Sequence, residues 1–130
     1  MVLILLHKEE LKMSWDCTVV YKDTKEEVKL DKPIDIRGGT YSMFGTNELW
    51  LNVTYNYSRF YRKKLPESLK TLDGMDVKES IPILQDLADS LGDDKTSDYW
   101  EPTEGNAKSA ILKLIKLAEL APENTMWEVI

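Results

Sequence analysis

Leu49 to Lys64 reads LWLNVTYNYSRFYRKK, and its period decides how the rest of the chain is organised. From Leu49 to Tyr57 the residues alternate. Leu51, Val53, Tyr55 and Tyr57 lie on one face of an extended chain, and Asn52, Thr54 and Asn56 lie on the other. This is the pattern of a strand with one buried face, expected to be the longest and central strand of its sheet. Its second face carries amides and a hydroxyl instead of charge. Ser58 suits the N-cap of a short helix from Arg59 to Leu65, which Pro66 ends or redirects. Four cations, Arg59, Arg62, Lys63 and Lys64, crowd into this segment of a chain that is acidic overall.

Upstream, Trp15, Cys17, Val19 and Tyr21 alternate with polar residues, the signal of another half-buried strand. Lys22-Asp23-Thr24-Lys25 is a polar turn, and Val28 and Leu30 resume period two in a hairpin partner that Pro33 should stop. Ile34 and Ile36 form a short extended piece before the Gly38-Gly39 pair. Downstream, residues 66–75 read as a loop with a turn at Asp73-Gly74. A helix is expected from Val77 to Leu91, with Val77, Ile81, Leu84, Ala88 and Leu91 on one face and Gly92 at C′. Pro82 implies either a start near Ser80 or a kink. Thr103 is an N-cap for a last helix whose apolar stripe includes Ala107, Ile111, Leu114 and Leu117. Pro122 closes it, and Thr125 to Val129 is a final strand. Strands first and helices later give an α+β class, an antiparallel sheet with two main amphipathic helices packed on one face.

The chain has 130 residues, enough for one core without staples. A net charge of −6 argues against binding extended nucleic acid through its phosphates, which needs a basic surface. Cys17 is the single cysteine and His7 the single histidine. An internal disulfide and a thiolate metal cluster within one chain are therefore excluded, and triad catalysis has one base in a poor position. No phosphate-loop spacing or calcium-loop spacing occurs. The apolar run Val2 to Leu6 is too short for a signal core or a membrane span, so the expected setting is cytoplasmic, without membrane contact. Lys8-Glu9-Glu10-Leu11-Lys12-Met13 is also how a purine-rich ribosome-binding site reads when translated in frame. Residues 1–12 are then a translated leader or N-terminal extension ahead of one domain over residues 13–130. A genuine N-terminal strand over Val2 to Leu6 is the competing reading.

Four constellations offer chemistry. The Asn52/Thr54/Asn56 row presents donors and acceptors that could read the polar edges of a base, ribose or amide; a solvated face or a buttress for a loop is the alternative. Thr103, Gly105 and Asn106 at a helix entrance offer free amides to an anion, although Glu104 opposes this and a plain capped helix fits as well. Arg37 beside Gly38-Gly39 could meet a phosphate, or simply flank a turn. Arg59, Arg62, Lys63 and Lys64 with Phe60 and Tyr61 suit a nucleotide or an acidic partner surface, or form the solvated face of a short helix.

The segments Asp35-Ile36-Arg37-Gly38-Gly39-Thr40-Tyr41, Trp50 through Ser58, Glu79-Ser80-Ile81-Pro82 and Trp100 through Ala107 together resemble a family of small uncharacterised phage, prophage and mobile-element proteins. That family pairs an Asn-x-Thr-x-Asn strand with a Gly-Asn helix entrance. The resemblance covers most of residues 13–129 and supports Met13 as the start. It names no activity, but small proteins in that setting are often anti-defence factors acting in the host cytoplasm, which bind a host protein or sequester a nucleotide signal. The expected function is thus a non-catalytic binding protein that takes no cofactor and no metal and sequesters a small polar or nucleotide-like ligand. Asn52, Thr54 and Asn56 would read its edges, Arg37 or Arg59 would meet phosphate, Tyr57 would stack, and Thr103, Gly105 and Asn106 would close the site. A homo-oligomer could complete the pocket between chains. The alternative is a protein–protein inhibitor acting on a host protein through Arg59–Lys64.

Overall fold

The structure, a computed structural model, describes residues 14–37, 42–98 and 101–130, with 32–37 and 42–47 described by backbone alone. The Val2–Leu6 segment, the proposed start at Met13, the Gly38-Gly39 turn and Trp100 lie outside the described residues. The fold is α+β, with an antiparallel sheet and two amphipathic helices as its main elements.

Three strands form the principal sheet: β1 (Ser14–Tyr21), β4 (Trp50–Thr54) and β5 (Thr125–Val129), in the order β4-β1-β5. Both pairings are antiparallel. Trp15 faces Val53 and Cys17 faces Leu51 on one side of β1, while Cys17 faces Val129 and Val19 faces Trp127 on the other. These residues make up the buried face. The centre of the sheet is therefore β1, not the Leu49–Tyr57 segment. That segment is an edge of the three-stranded ladder, and its strand stops at Thr54 because the chain turns into a 3-10 helix at Tyr55–Tyr57. Thr54 itself ends the strand: its hydroxyl accepts the Asn56 N–H.

The turn after β1 forms as expected, with Lys25 in the left-handed region at φ 64 and its N–H on the Tyr21 carbonyl. Pro33 does not stop the next strand. β2 (Lys29–Arg37) runs through it and pairs with β3 (Ser42–Glu48) in a separate two-stranded ribbon. The register shifts between Lys29 and Ile34 and again between Ile34 and Ile36. A bulge of this kind accommodates a residue that has no N–H to donate.

After the 3-10 turn comes α1 (Ser58–Tyr61), which ends before the expected Leu65, and then a second 3-10 helix (Ser68–Leu72) inside residues 66–75, which read as a plain loop. Ser58 is the first helical residue of α1 and not its N-cap. Its hydroxyl accepts a hydrogen bond from Trp15 Nε1 at 3.1 Å. α2 (Val77–Asp89) starts at an Asp76 cap and carries Pro82 within it. Ser80, buried beside that proline, donates to the Val77 carbonyl at 2.6 Å and accepts from Trp127 Nε1 at 2.8 Å. This pins the turn where proline removes a helix bond. Gly92 is not a left-handed C′ residue; among the described residues only Gly74, at φ 81, is a positive-φ glycine. Gly92 instead donates its N–H to Glu104 Oε1. α3 (Glu104–Leu120) begins at Thr103 and buries Ala107, Ala110, Ile111, Leu114 and Leu117 with Leu84, Leu87 and Ala88 of α2 in the core beneath the sheet. No helix among the described residues is long and apolar enough to cross a membrane.

Candidate functional site

The amide row does not form one surface. Asn52 is 4% exposed, and its side-chain nitrogen donates to Ser14 Oγ at 2.8 Å and to Asp16 Oδ1 at 2.7 Å. It ties β4 to the neighbouring β1, so its donors serve the sheet. Thr54 is fully buried as a turn cap, and Asn56 is exposed on the 3-10 turn. Tyr57 is also fully buried, edge-on to Tyr61 at 6.3 Å between ring centroids. Its ring has no face left for a ligand in this arrangement.

The helix entrance is equally occupied from within. Thr103 Oγ1 accepts the Asn106 N–H, and Asp94 Oδ1 accepts the Gly105 N–H at 3.2 Å. The buried Asn106 side chain donates to Thr96 Oγ1, the Asp98 carbonyl and the Glu101 carbonyl, and accepts from the Thr96 N–H. A Cβ on Gly105 would lie 2.6 Å from the Asp94 carbonyl carbon. The glycine thus gives room to the chain's own acidic loop, which supplies the anion that a helix N-terminus favours. Arg59 approaches this entrance, its guanidinium 3.5 Å from the Pro102 carbonyl and 4.8 Å from the Phe60 ring. Arg37 is described by backbone alone, at the end of β2. The structure therefore draws Arg59 toward Thr103 but gives Asn52, Thr54 and Tyr57 separate structural duties.

A surface depression of about 630 Å³ lies elsewhere, walled by Trp15, Tyr55, Arg62, Glu67 and Lys70. The walls come from β1, the first 3-10 turn, the end of α1 and the second 3-10 helix with its Glu67 cap. Trp15 projects from β1, held by its Nε1 bond to Ser58. Tyr55 opens the first 3-10 turn and stacks on Trp15, with centroids 5.3 Å apart and planes at 29°. Trp15 is only 7% exposed, so Tyr55 covers it and offers the half-buried outer ring. Arg62 follows α1 and donates from Nη2 to the Tyr55 hydroxyl at 3.2 Å. Lys70, on the second 3-10 helix, donates to the Val129 carbonyl at 2.9 Å and sits 3.3 Å from Asp73 Oδ2. That helix is entered through Ser68, which is buried at φ 56, a conformation costly for a side-chain-bearing residue.

An aromatic plate fixed on one side by a tryptophan and at its hydroxyl by an arginine is a pre-organised stacking surface. Among the wall side chains, two cations stand against the one carboxylate of Glu67, which favours an anionic ligand. Sequence reasoning singled out this segment but favoured Arg59 and Tyr57 where Arg62 and Tyr55 line the depression. The available signal was the seven-residue interval from Tyr55 to Arg62, two helical turns apart, once the strand is known to end at Thr54.

Other candidate chemistry is muted. Burial, with Asp16 nearby, holds the Cys17 thiol far above its ordinary range, so it is no nucleophile. Lys113, half-buried on α3, is held below the usual lysine range by desolvation and by the charge of Lys95. Among the described residues no group of three or more His, Cys, Asp or Glu side chains is placed to hold a metal ion. Comparison of the chain with protein-family models, curated proteins and solved structures gives no match.

Proposed function

We propose that the protein is a non-catalytic binding protein that captures a small, anionic, ring-bearing ligand of nucleotide type in the Trp15–Tyr55 depression. The observation that carries this reading is the meeting of Tyr55, braced by Trp15 and Arg62, with Lys70 across one depression. A base stacks on the outer face of Tyr55, which is sequence-tolerant because every base has a π-face. A phosphate meets Arg62 and Lys70. Depressions of this size are usual for small-ligand sites, which run to about 300–1,000 Å³. Capture without turnover suits a site with cations and rings but no activated nucleophile. In the phage or mobile-element setting that the sequence resembles, such capture serves as anti-defence sequestration in the host cytoplasm.

Calorimetry against linear and cyclic mononucleotides tests it. Binding is expected in the wild type, lost in Arg62→Ala and in Tyr55→Ala, and retained in Asn52→Ala wherever that variant folds. Absence of any nucleotide response refutes the reading. A second reading, inhibition of a host protein, is favoured by one observation: Arg59, Lys63 and Lys64 are exposed beside Phe60 on one short segment. A host protein retained by wild type and lost in Arg59→Ala, without a nucleotide response, selects it.

A further inference from the structure

We infer that the depression is one lobe of a two-lobed site, and that the ligand is a dinucleotide whose linking phosphate crosses the Lys70 side chain. The inference rests on the proposed function of the first lobe and extends it. A second depression of about 350 Å³ adjoins the first, and Lys70 and Ile130 line both. Lys70 and Ile130 therefore form the ridge between them. The two tethers of Lys70, to the Val129 carbonyl and to Asp73, hold the ammonium in place without burying it: its side chain is 47% exposed.

The two lobes differ in charge. Among its wall side chains the first has Arg62 and Lys70 against Glu67, one more cation than carboxylate. The second has Lys25 and Lys70 against Asp73 and Glu128, a balance. An anionic link thus belongs at the ridge and in the first lobe, while a neutral ring belongs in the second. The second lobe offers a soft contact. Met126 forms part of its wall, and Lys25 lies across the Met126 sulfur at 3.9 Å with its ammonium on the Lys22 carbonyl. Gly74 leaves space there, since a Cβ on it would meet nothing within 4 Å. A thioether against an aromatic edge is a favourable contact. A mononucleotide fills the first lobe alone, whereas a dinucleotide places its second base beside Met126.

The test is calorimetry with adenosine monophosphate and with a 5′-phosphorylated diadenylate on the full chain. Joining two moieties makes the second contact intramolecular, so the dinucleotide is expected to bind at least about tenfold tighter. Lys70→Met should bring the ratio of the two affinities toward one. Lys25→Glu, which adds a third carboxylate to the second lobe at an exposed position, should lower the same ratio. Far-ultraviolet circular dichroism of each variant confirms that it folds. Equal affinities in the wild type, with mononucleotide binding still lost in Arg62→Ala, overturn the two-lobed site and leave the single-lobe reading standing. No binding of either nucleotide overturns both.

Discussion

The α3 entrance and the Trp15–Tyr55 depression both gather polar groups beside a helix or turn, yet they do opposite things with them. At the entrance every group named in the sequence has a partner from the same chain: Asp94 on Gly105, Thr103 on Asn106, and the Asn106 amide on three acceptors. At the depression Arg62 is tethered at one point and Lys70 at two, and both side chains stay exposed to solvent. Hydrogen-bonding capacity spent internally is architecture, because breaking it leaves buried groups unpaired. Capacity left at a braced surface is available to a ligand.

Five substitutions break or sharpen this contrast. The largest loss of stability is expected from Gly105→Ala, about 3 kcal/mol, because its Cβ has to displace the backbone at Asp93 and Asp94; chemical denaturation measures it. Asn106→Ala should cost about 2 kcal/mol by removing the buried amide that bonds Thr96 and the Asp98 and Glu101 carbonyls. Nucleotide affinity of the folded fraction should be unchanged in both.

The two helix caps give a finer test. Asp76 caps α2 with a charged group and Thr103 caps α3 with a neutral one. The Lys22 ammonium, 2.6 Å away, and then the Glu79 N–H hold the Asp76 carboxyl below its usual range. A lowered folded value means stabilisation that is whole above the ordinary carboxylate value of about 3.9 and lost as pH falls through the folded one. Asp76→Ala should lower stability by about 1 kcal/mol at neutral pH and flatten the acid limb. Thr103→Ala should cost a similar amount at neutral pH and leave the acid limb as it is; melting curves over pH 2–7 at about half-unit steps distinguish them. The smallest effect on stability, within about 0.5 kcal/mol, is expected for Arg62→Ala. That same variant should remove the nucleotide response, and a large stability loss would place Arg62 with the architecture.

The contrast also explains what the sequence made legible. α3 with its Thr103 cap, the start of α2 and the Thr125–Val129 strand follow from local signals, namely caps, apolar spacing and closing prolines. The central place of β1 does not, because its two partners come from far along the chain. β3 was missed because Ser42–Glu48, SMFGTNE, has no alternation to read. The amide row misled for a physical reason: periodicity tells which residues share a face, not what covers that face. Asn52 meets Ser14 and Asp16 only once β1 is its neighbour. Tyr55 and Tyr57 looked equivalent at period two. The 3-10 turn separates them, placing one on Trp15 at the surface and the other against Tyr61 in the core.

The β4-β1-β5 order has a consequence for how the molecule comes into being. β1 is the first described strand and β5 the last, yet they pair residue for residue. During synthesis β1 can meet β4 early, but its other edge stays open until Thr125–Val129 have left the ribosome. Long-range pairing of this kind slows folding and exposes a strand edge meanwhile. Chains truncated before Thr125 should therefore be retained by chaperones, with Ser80 lacking its Trp127 donor and the core open beside Val19.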